Sequence, residues 1–410
     1  MRIINLVISL ILFSVNYIFS QETNFSLLAN LSDYRIHEEK LMETISGNPI
    51  TTELYNSFVD SSNSLDSVKL KILNPKIQIR NEIDLYDSTN SKLLVLKDKI
   101  YTATTNGTVY SIYPDGKINW QHITDAKISN SILGSGDLVV VMSDAGDLYT
   151  INSNNGDPVQ SIGIGEPISS DIIFTDINYN DLNTKGIVFG TAYGNVYCYE
   201  LYSLEMVWEN NLPEEKVITG TFLIKDKIII QTADENYYCL DSDNGILIWK
   251  WEPKTKSEKQ NFRSKVISKS NSIYLTDSEG NLYSIDLLLG TENWIKKRVY
   301  ASGKMYFAND ELILHNTKNE VLFIDPYRGK VQKEVKLPNE FINSSPTCLI
   351  ENGKEILLGF DNGYICELDE KKIFKELLYL GNSQIVSIIK ANSNFFVTNN
   401  AGKLIEFTIN

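Results

Sequence analysis

The chain has 410 residues, and 38 Lys+Arg against 52 Asp+Glu leave a net charge of −14. Such a surface repels polyanions on average and excludes nucleic acid as the expected partner, because phosphate recognition rests on basic patches. Four Cys exclude a disulfide-built scaffold and three His leave little material for a histidine-rich metal centre.

The first twenty residues, MRIINLVISLILFSVNYIFS, carry one charge at Arg2 ahead of an apolar run and end on the small Ser20. This predicts a cleaved secretory signal peptide over residues 1–20, with removal of Arg2 taking the charge from −14 to −15. No Cys stands near Ser20, so a lipid-anchor cysteine is not expected, and no second apolar run reaches membrane-spanning length. The mature protein is therefore expected to be exported: periplasmic, secreted or at the cell surface. Residues 21–67 show loosely helical apolar spacing followed by a Ser/Asn-rich stretch, Ser57–Ser67, that reads as a linker.

From residue 68 onward one pattern recurs: a turn with Gly or a stand-in, then an alternating apolar strand. The segments include TTNGTVYSI, SDAGDLYTIN, TAYGNVYCYE, TADENYYCLD, DSEGNLYSID, TKNEVLFID, FDNGYICELD and NNAGKLIEF. The Gly position falls at 107, 146, 194, 235 (Glu), 280, 319 (Asn), 363 and 402, a mean interval of 295/7, about 42. A period of ~40–45 residues with several short strands per unit predicts a β-propeller, so one ring replaces the two or three domains that length alone suggests. Helical repeats are excluded by period-2 alternation and by the dominance of Val, Ile, Tyr and Thr. The fourth unit parses into four strands, ITGTFLI, KIIIQTA, NYYCLD and ILIWKW, separated by turns rich in Asp, Asn, Lys and Gly. The eighth unit stops at Asn410 after its third strand, whereas VKLKILNPKIQIRNEI upstream of the first has no blade of its own. Residues near Lys76–Ile83 are accordingly expected to pair beside Leu404–Ile409 and close an eight-bladed, all-β ring over residues 68–410.

The elements TNGTVYSIYPDGKINW, ADENYYCLDSDNGILIW and DSEGNLYSIDLLLGTENW resemble the Gly–strand–Asp–turn–Gly–x–x–x–Trp repeat of the pyrroloquinoline-quinone-like propellers. That superfamily contains the quinoprotein dehydrogenases and the BamB-type scaffold of outer-membrane protein assembly. The resemblance covers residues 76–410 and implies that Trp120, Trp208, Trp249 and Trp294 are spacers docking neighbouring blades, each indole N–H finding a backbone partner. Gln160 and Lys333 stand at the Trp position of two other units, where looser packing is expected.

A quinoprotein dehydrogenase would need neighbouring cysteines over the cofactor, a Ca²⁺ site and a catalytic Asp. Cys198 and Cys239 instead occupy equivalent third strands, and Cys348 and Cys366 fall on the first and third strands of one blade, about 9–10 Å apart by strand spacing. All four read as buried free thiols, and no catalytic or cofactor-binding residue is assigned. His37, His122 and His315 fall in the N-terminal segment, the first blade and the sixth blade and read as scattered surface or core histidines. The segment Asp176-Ile-Asn178-Tyr-Asn180-Asp181 has oxygen ligands at alternate positions and is a candidate calcium loop, against the plainer reading as a surface turn. Glu214-Glu215 and Asp369-Glu370 read as solvated turn residues. First-strand segments such as ISSDIIF, INSSPTCLI and IVSIIKA offer the central channel mostly small, apolar or hydroxyl side chains.

These readings converge on an exported, non-catalytic scaffold that binds protein partners in the cell envelope, by resemblance in outer-membrane protein assembly. The surfaces to examine are the loops around Pro158–Pro167 and Glu252–Asn261. The alternatives are a secreted or surface interaction protein, or a quinoprotein-like enzyme or ligand sensor using the funnel.

Overall fold

A computed structural model of the chain describes residues 70–124, 126–213, 216–254 and 266–410. The expected signal peptide, the segment 21–67, His37, Glu214-Glu215 and most of the Glu252–Asn261 loop lie outside the described residues. From Lys69 to Asn410 the chain is one compact unit.

Eight antiparallel sheets form an eight-bladed propeller; six take their four strands from one repeat each, and the seventh and eighth each gain a strand from upstream of the first repeat. The blades occupy residues 94–123, 128–163, 173–211, 218–251, 267–296, 301–336, 346–379 and 385–409. Apart from a three-residue 3-10 helix, Asn339–Phe341, every regular element among the described residues is a strand. No helix among them is long and apolar enough to cross a membrane.

The eighth sheet takes its outermost strand from the N-terminal side, where Ile77–Asp84 pairs antiparallel with Lys403–Ile409. The upstream segment that reads as a single alternating strand is two. Its Asn74-Pro75 turn separates Lys71–Ile72, which adds a fifth strand to the outer edge of blade seven, from Ile77–Asp84.

The repeat mark has a backbone cause. All eight marked residues adopt positive φ, including Glu235 (66°) and Asn319 (63°) where Gly is replaced. At Gly363 and Gly402 a Cβ would lie 1.7 Å from the Gly381 carbonyl and 2.0 Å from that of Asp87, so side chain and left-handed backbone are both opposed there. The stand-ins use their side chains instead. Glu235 accepts a hydrogen bond from Ser278 N (3.1 Å), and the Asn319 amide donates to the Leu337 and Pro338 carbonyls.

The core sits between blades. Eight clusters of buried apolar residues are each shared by two neighbouring blades, from Tyr101, Trp120 and Val141 between blades one and two to Leu357, Ile365 and Phe407 between seven and eight. The last joins Phe396 and Leu404 of blade eight to Ile100, Tyr110 and Ile112 of blade one. Burying both faces of every sheet explains why middle strands such as Leu138–Ser143 are apolar without alternation.

Candidate functional site

Each of the four tryptophans reaches into the following blade. The indole N–H donates to the Ser153 carbonyl from Trp120 (3.1 Å), to Ser242 from Trp208 (3.2 Å), to Leu287 from Trp249 (2.9 Å) and to Pro326 from Trp294 (3.1 Å). Each ring also lies on a glycine of that blade, Gly156, Gly245, Gly290 and Gly329 in turn, where a Cβ would come within 2.5–2.8 Å of ring carbons. A small residue faces each Trp across its own sheet: Ser111, Cys198, Cys239 and Ser284. Two cysteines are thereby explained as small packing partners.

Gln160 stands at the boundary of blades two and three, and Lys333 at that of blades six and seven. At the latter, Phe341 from the 3-10 turn packs edge-on against Phe360, Tyr364 and Phe374 with centroids 4.7–5.2 Å apart. At the former, Leu204, Phe189 and Tyr197 share one buried cluster, with Tyr199 packed against it.

The cysteines are free thiols, but Cys348 is only half-buried, because it sits on the first strand of its blade. Burial pushes the thiols of Cys198 and Cys239 up to about 12, and that of Cys348 to about 11 against the opposing pull of Thr347 and Lys304. None is a ready nucleophile at neutral pH. His122 lies on the outermost strand of blade one and His315 on the second strand of blade six, so the described histidines are not brought together.

The calcium candidate is not a loop. Asp176 and Asn178 belong to the strand Ile173–Tyr179, and Asn180-Asp181 form a two-residue turn with both φ positive (51° and 60°) leading directly into Leu182–Gly190. Alternating oxygen side chains here are the exposed face of a hairpin, and Asp176 pairs with Lys185 directly across it (2.5 Å). Asp369 and Glu370 also face lysines, Asp369 bonding Lys375 at 2.9 Å and Glu370 touching Lys354.

The central channel differs from its expected lining. Lys92, at the entry to blade one, pairs with Asp171, at the entry to blade three (2.6 Å). Lys304 of blade six donates to the Thr347 carbonyl (3.0 Å) and is close enough for its charge to act on both. Residues from blades one, three and six meet only at the middle of a propeller. Burial opposes ionisation of Asp171, yet Lys92, the Ser131 hydroxyl and Lys304 outweigh it and hold the carboxyl below its usual range. Burial lowers the Lys304 ammonium, with Lys92 adding to the effect. Among the described residues no three His, Cys, Asp or Glu side chains gather as metal ligands.

A second concavity of about 660 Å³ opens on blade three and includes Glu166, Tyr193, Asn195, Tyr197 and Glu209. Glu166 comes from the link between blades two and three, at the end of the Pro158–Pro167 segment. Its carboxylate accepts bonds from the Asn195 amide (2.9 and 3.1 Å) and the Tyr197 hydroxyl (3.0 Å). Burial, then this bond and the charges of Glu166 and Glu209, push the Tyr197 phenol up to about 12. Exposed apolar side chains also gather at the outer rim, on Ile246, Leu247 and Ile248 of blade four and Leu288 and Leu289 of blade five.

Comparison with known proteins places the repeat. A family model described as outer membrane protein assembly factor BamB matches residues 182–298. The BamB of Shewanella oneidensis is 20% identical over 265 residues, 61% of this chain and 64% of that protein. The chain spans less than two thirds of the curated relatives it matches. Among solved structures, BamB from Moraxella catarrhalis superposes with a TM-score of 0.66 at 16% identity, over 81% of this chain and 99% of that one. A quinohemoprotein alcohol dehydrogenase of Pseudomonas putida superposes at 0.64 with 11% identity, over 82% and 76%. At these identities the structural likenesses speak for the fold alone. Together with the family model they bear out the resemblance to the pyrroloquinoline-quinone-like propellers.

Proposed function

We propose that the protein is an exported, non-catalytic scaffold that binds protein partners in the cell envelope, in the manner of an outer-membrane assembly factor. The family-level likeness to BamB supports the class, and the observation that carries binding is the apolar rim of blades four and five. Leu289 and Ile246 are 70% and 62% exposed there, beside an outer strand with no neighbour. Large exposed apolar side chains on two adjacent blades offer surface for protein association. In this reading residues 1–20 are a cleaved signal peptide and residues 21–67 a tether. Pairing of Ile77–Asp84 with Lys403–Ile409 closes the ring, and the four tryptophans dock blades without touching a ligand. Affinity capture of the tagged full chain from intact envelopes tests it: an outer-membrane assembly component should be retained, and retention of no envelope protein would overturn it.

The charged channel favours one second reading, a ligand sensor using the funnel. Saturable binding of a small anion, lost in Lys92→Ala and Lys304→Ala, would support that reading over the first.

A further inference from the structure

The concavity on blade three combines features that neither the apolar rim nor the tryptophan ladder requires. Glu166 is held by three hydrogen bonds, two from the single Asn195 amide nitrogen to its two oxygens and one from a phenol, so its carboxylate is fixed in place before anything binds. Those bonds leave lone pairs on both oxygens free to accept further donors. Glu209 lies directly across the sheet from Tyr197 and adds a second carboxylate to the lining of the same concavity. Tyr193, in the turn before this strand, leaves its ring 58% exposed at the mouth. None of the described residues lining the concavity is basic.

A flat cation suits this arrangement better than a spherical one. A guanidinium carries five donors in a planar fork that can engage two carboxylates and stack on an aromatic face at once, whereas an ammonium offers a strongly hydrated point charge. A volume of about 660 Å³ also exceeds what a metal ion requires and admits a side chain with its flanking backbone. We propose that this concavity receives an arginine side chain presented by a basic segment of a partner protein, an inference that rests on the scaffold reading above. The complementarity of charge names the occupant: two carboxylates with no internal cation, on a protein of net charge −14, call for a positive group from outside.

The test uses the full chain and three capped peptides, acetyl-Gly-Arg-Gly-amide and its Lys and Gln counterparts, followed by saturation-transfer NMR. The Arg peptide should bind saturably, with transfer to its guanidinium-side protons, and the Gln peptide should not bind. Glu166→Gln together with Glu209→Gln should weaken the Arg peptide by about tenfold or more, as loss of charge-assisted bonds implies. Asn195→Ala keeps both charges but frees Glu166, and should weaken binding several-fold, reporting positioning separately from charge. Equal binding of Lys and Arg peptides overturns the arginine assignment. Unchanged binding in the double Gln variant, with its unfolding midpoint intact, overturns the site. The scaffold reading is tested apart: if envelope partners are retained equally by wild type and double variant, the site fails and the scaffold stands. If the Arg peptide binds while no envelope protein is retained, the site stands and the scaffold fails.

Discussion

Two glycines with nearly the same backbone separate the cost of a left-handed turn from that of touching a tryptophan. Gly245 has φ +69° and Gly353 φ +65°. Alanine at either should cost about 1–2 kcal/mol for placing a Cβ in that region. At Gly353 the new methyl meets nothing within 4 Å, whereas at Gly245 it lies 2.5 Å from Cε3 and 2.7 Å from Cδ2 of Trp208. The ring is held by its bond to the Ser242 carbonyl and by the buried cluster it shares with Ile218, Ile230 and Tyr238, so it has no open direction in which to retreat. Overpacking of this kind costs about 1–3 kcal/mol. Gly353→Ala should therefore lose about 1–2 kcal/mol and Gly245→Ala about 2–5 kcal/mol in total. Urea unfolding followed by circular dichroism measures both without relying on tryptophan emission. Adding Trp208→Leu completes a cycle in which the smaller side chain accommodates the methyl, and a coupling of about 0.5–3 kcal/mol is expected. Equal losses in the two alanine variants, with no coupling to Trp208, would refute ring-on-glycine packing as a contributor to stability.

Trp249→Phe keeps an aromatic ring but removes the N–H that reaches Leu287, and should cost about 1–3 kcal/mol in the same assay. A chain beginning at Lys69 should unfold like the full protein, whereas one beginning at Leu85 loses the buried Ile77 and the outer strand of blade eight, and should show a lower, broader melt by calorimetry. Burial and the neighbouring Glu340 carboxyl raise the Glu376 side chain above the usual carboxylate range. The folded state therefore holds this proton more tightly than the unfolded chain. The stability it contributes is full below the unfolded value and is lost as pH rises through the folded one. Glu376→Gln should accordingly be more stable than wild type at neutral pH, with the difference vanishing in acid. A difference independent of pH would sink that explanation.

The blade count and the strand borders were legible because they rest on local requirements repeated in sequence: a positive φ at each mark, and apolar residues on both faces of middle strands. The channel charges were not, because Lys92, Asp171 and Lys304 come one from each of three distant blades and share no local pattern. Asp171 stood in plain view within ISSDIIF, yet nothing nearby announced its partner 79 residues earlier. Glu166 is a similar case. The segment containing it could be singled out as a loop, but Asn195 and Tyr197, which hold its carboxylate, lie on a strand of the following blade. The segment Asp176–Asp181 misleads for the opposite reason, since alternate oxygens serve a cation loop and the wet face of a hairpin equally well until the register is known.

Pairing of ring and glycine also explains which repeats may depart from the pattern. Gln160 replaces Trp in blade two, and the turn of blade three that would face a ring there carries Leu204 at φ 52° in place of Gly. Lys333 replaces Trp in blade six, and the next turn carries Lys372 at φ 63°, with the Lys333 ammonium reaching the Lys371 carbonyl beside it. In these two repeats the departure from Trp is matched by release of the glycine one blade later, so the constraint there runs between repeats and not within one. Asn81, on the outer strand that joins blade eight, takes the same place and meets Gly116 of blade one, where a Cβ would come within 2.8 Å of its amide carbon. Glu376 of blade seven faces no such turn, because the outer strand of blade eight arrives from the other end of the chain and no third-to-outer turn exists there. Three blade boundaries thus lack a glycine partner: two where Leu204 and Lys372 stand in its place, and one that topology leaves without a turn to supply it.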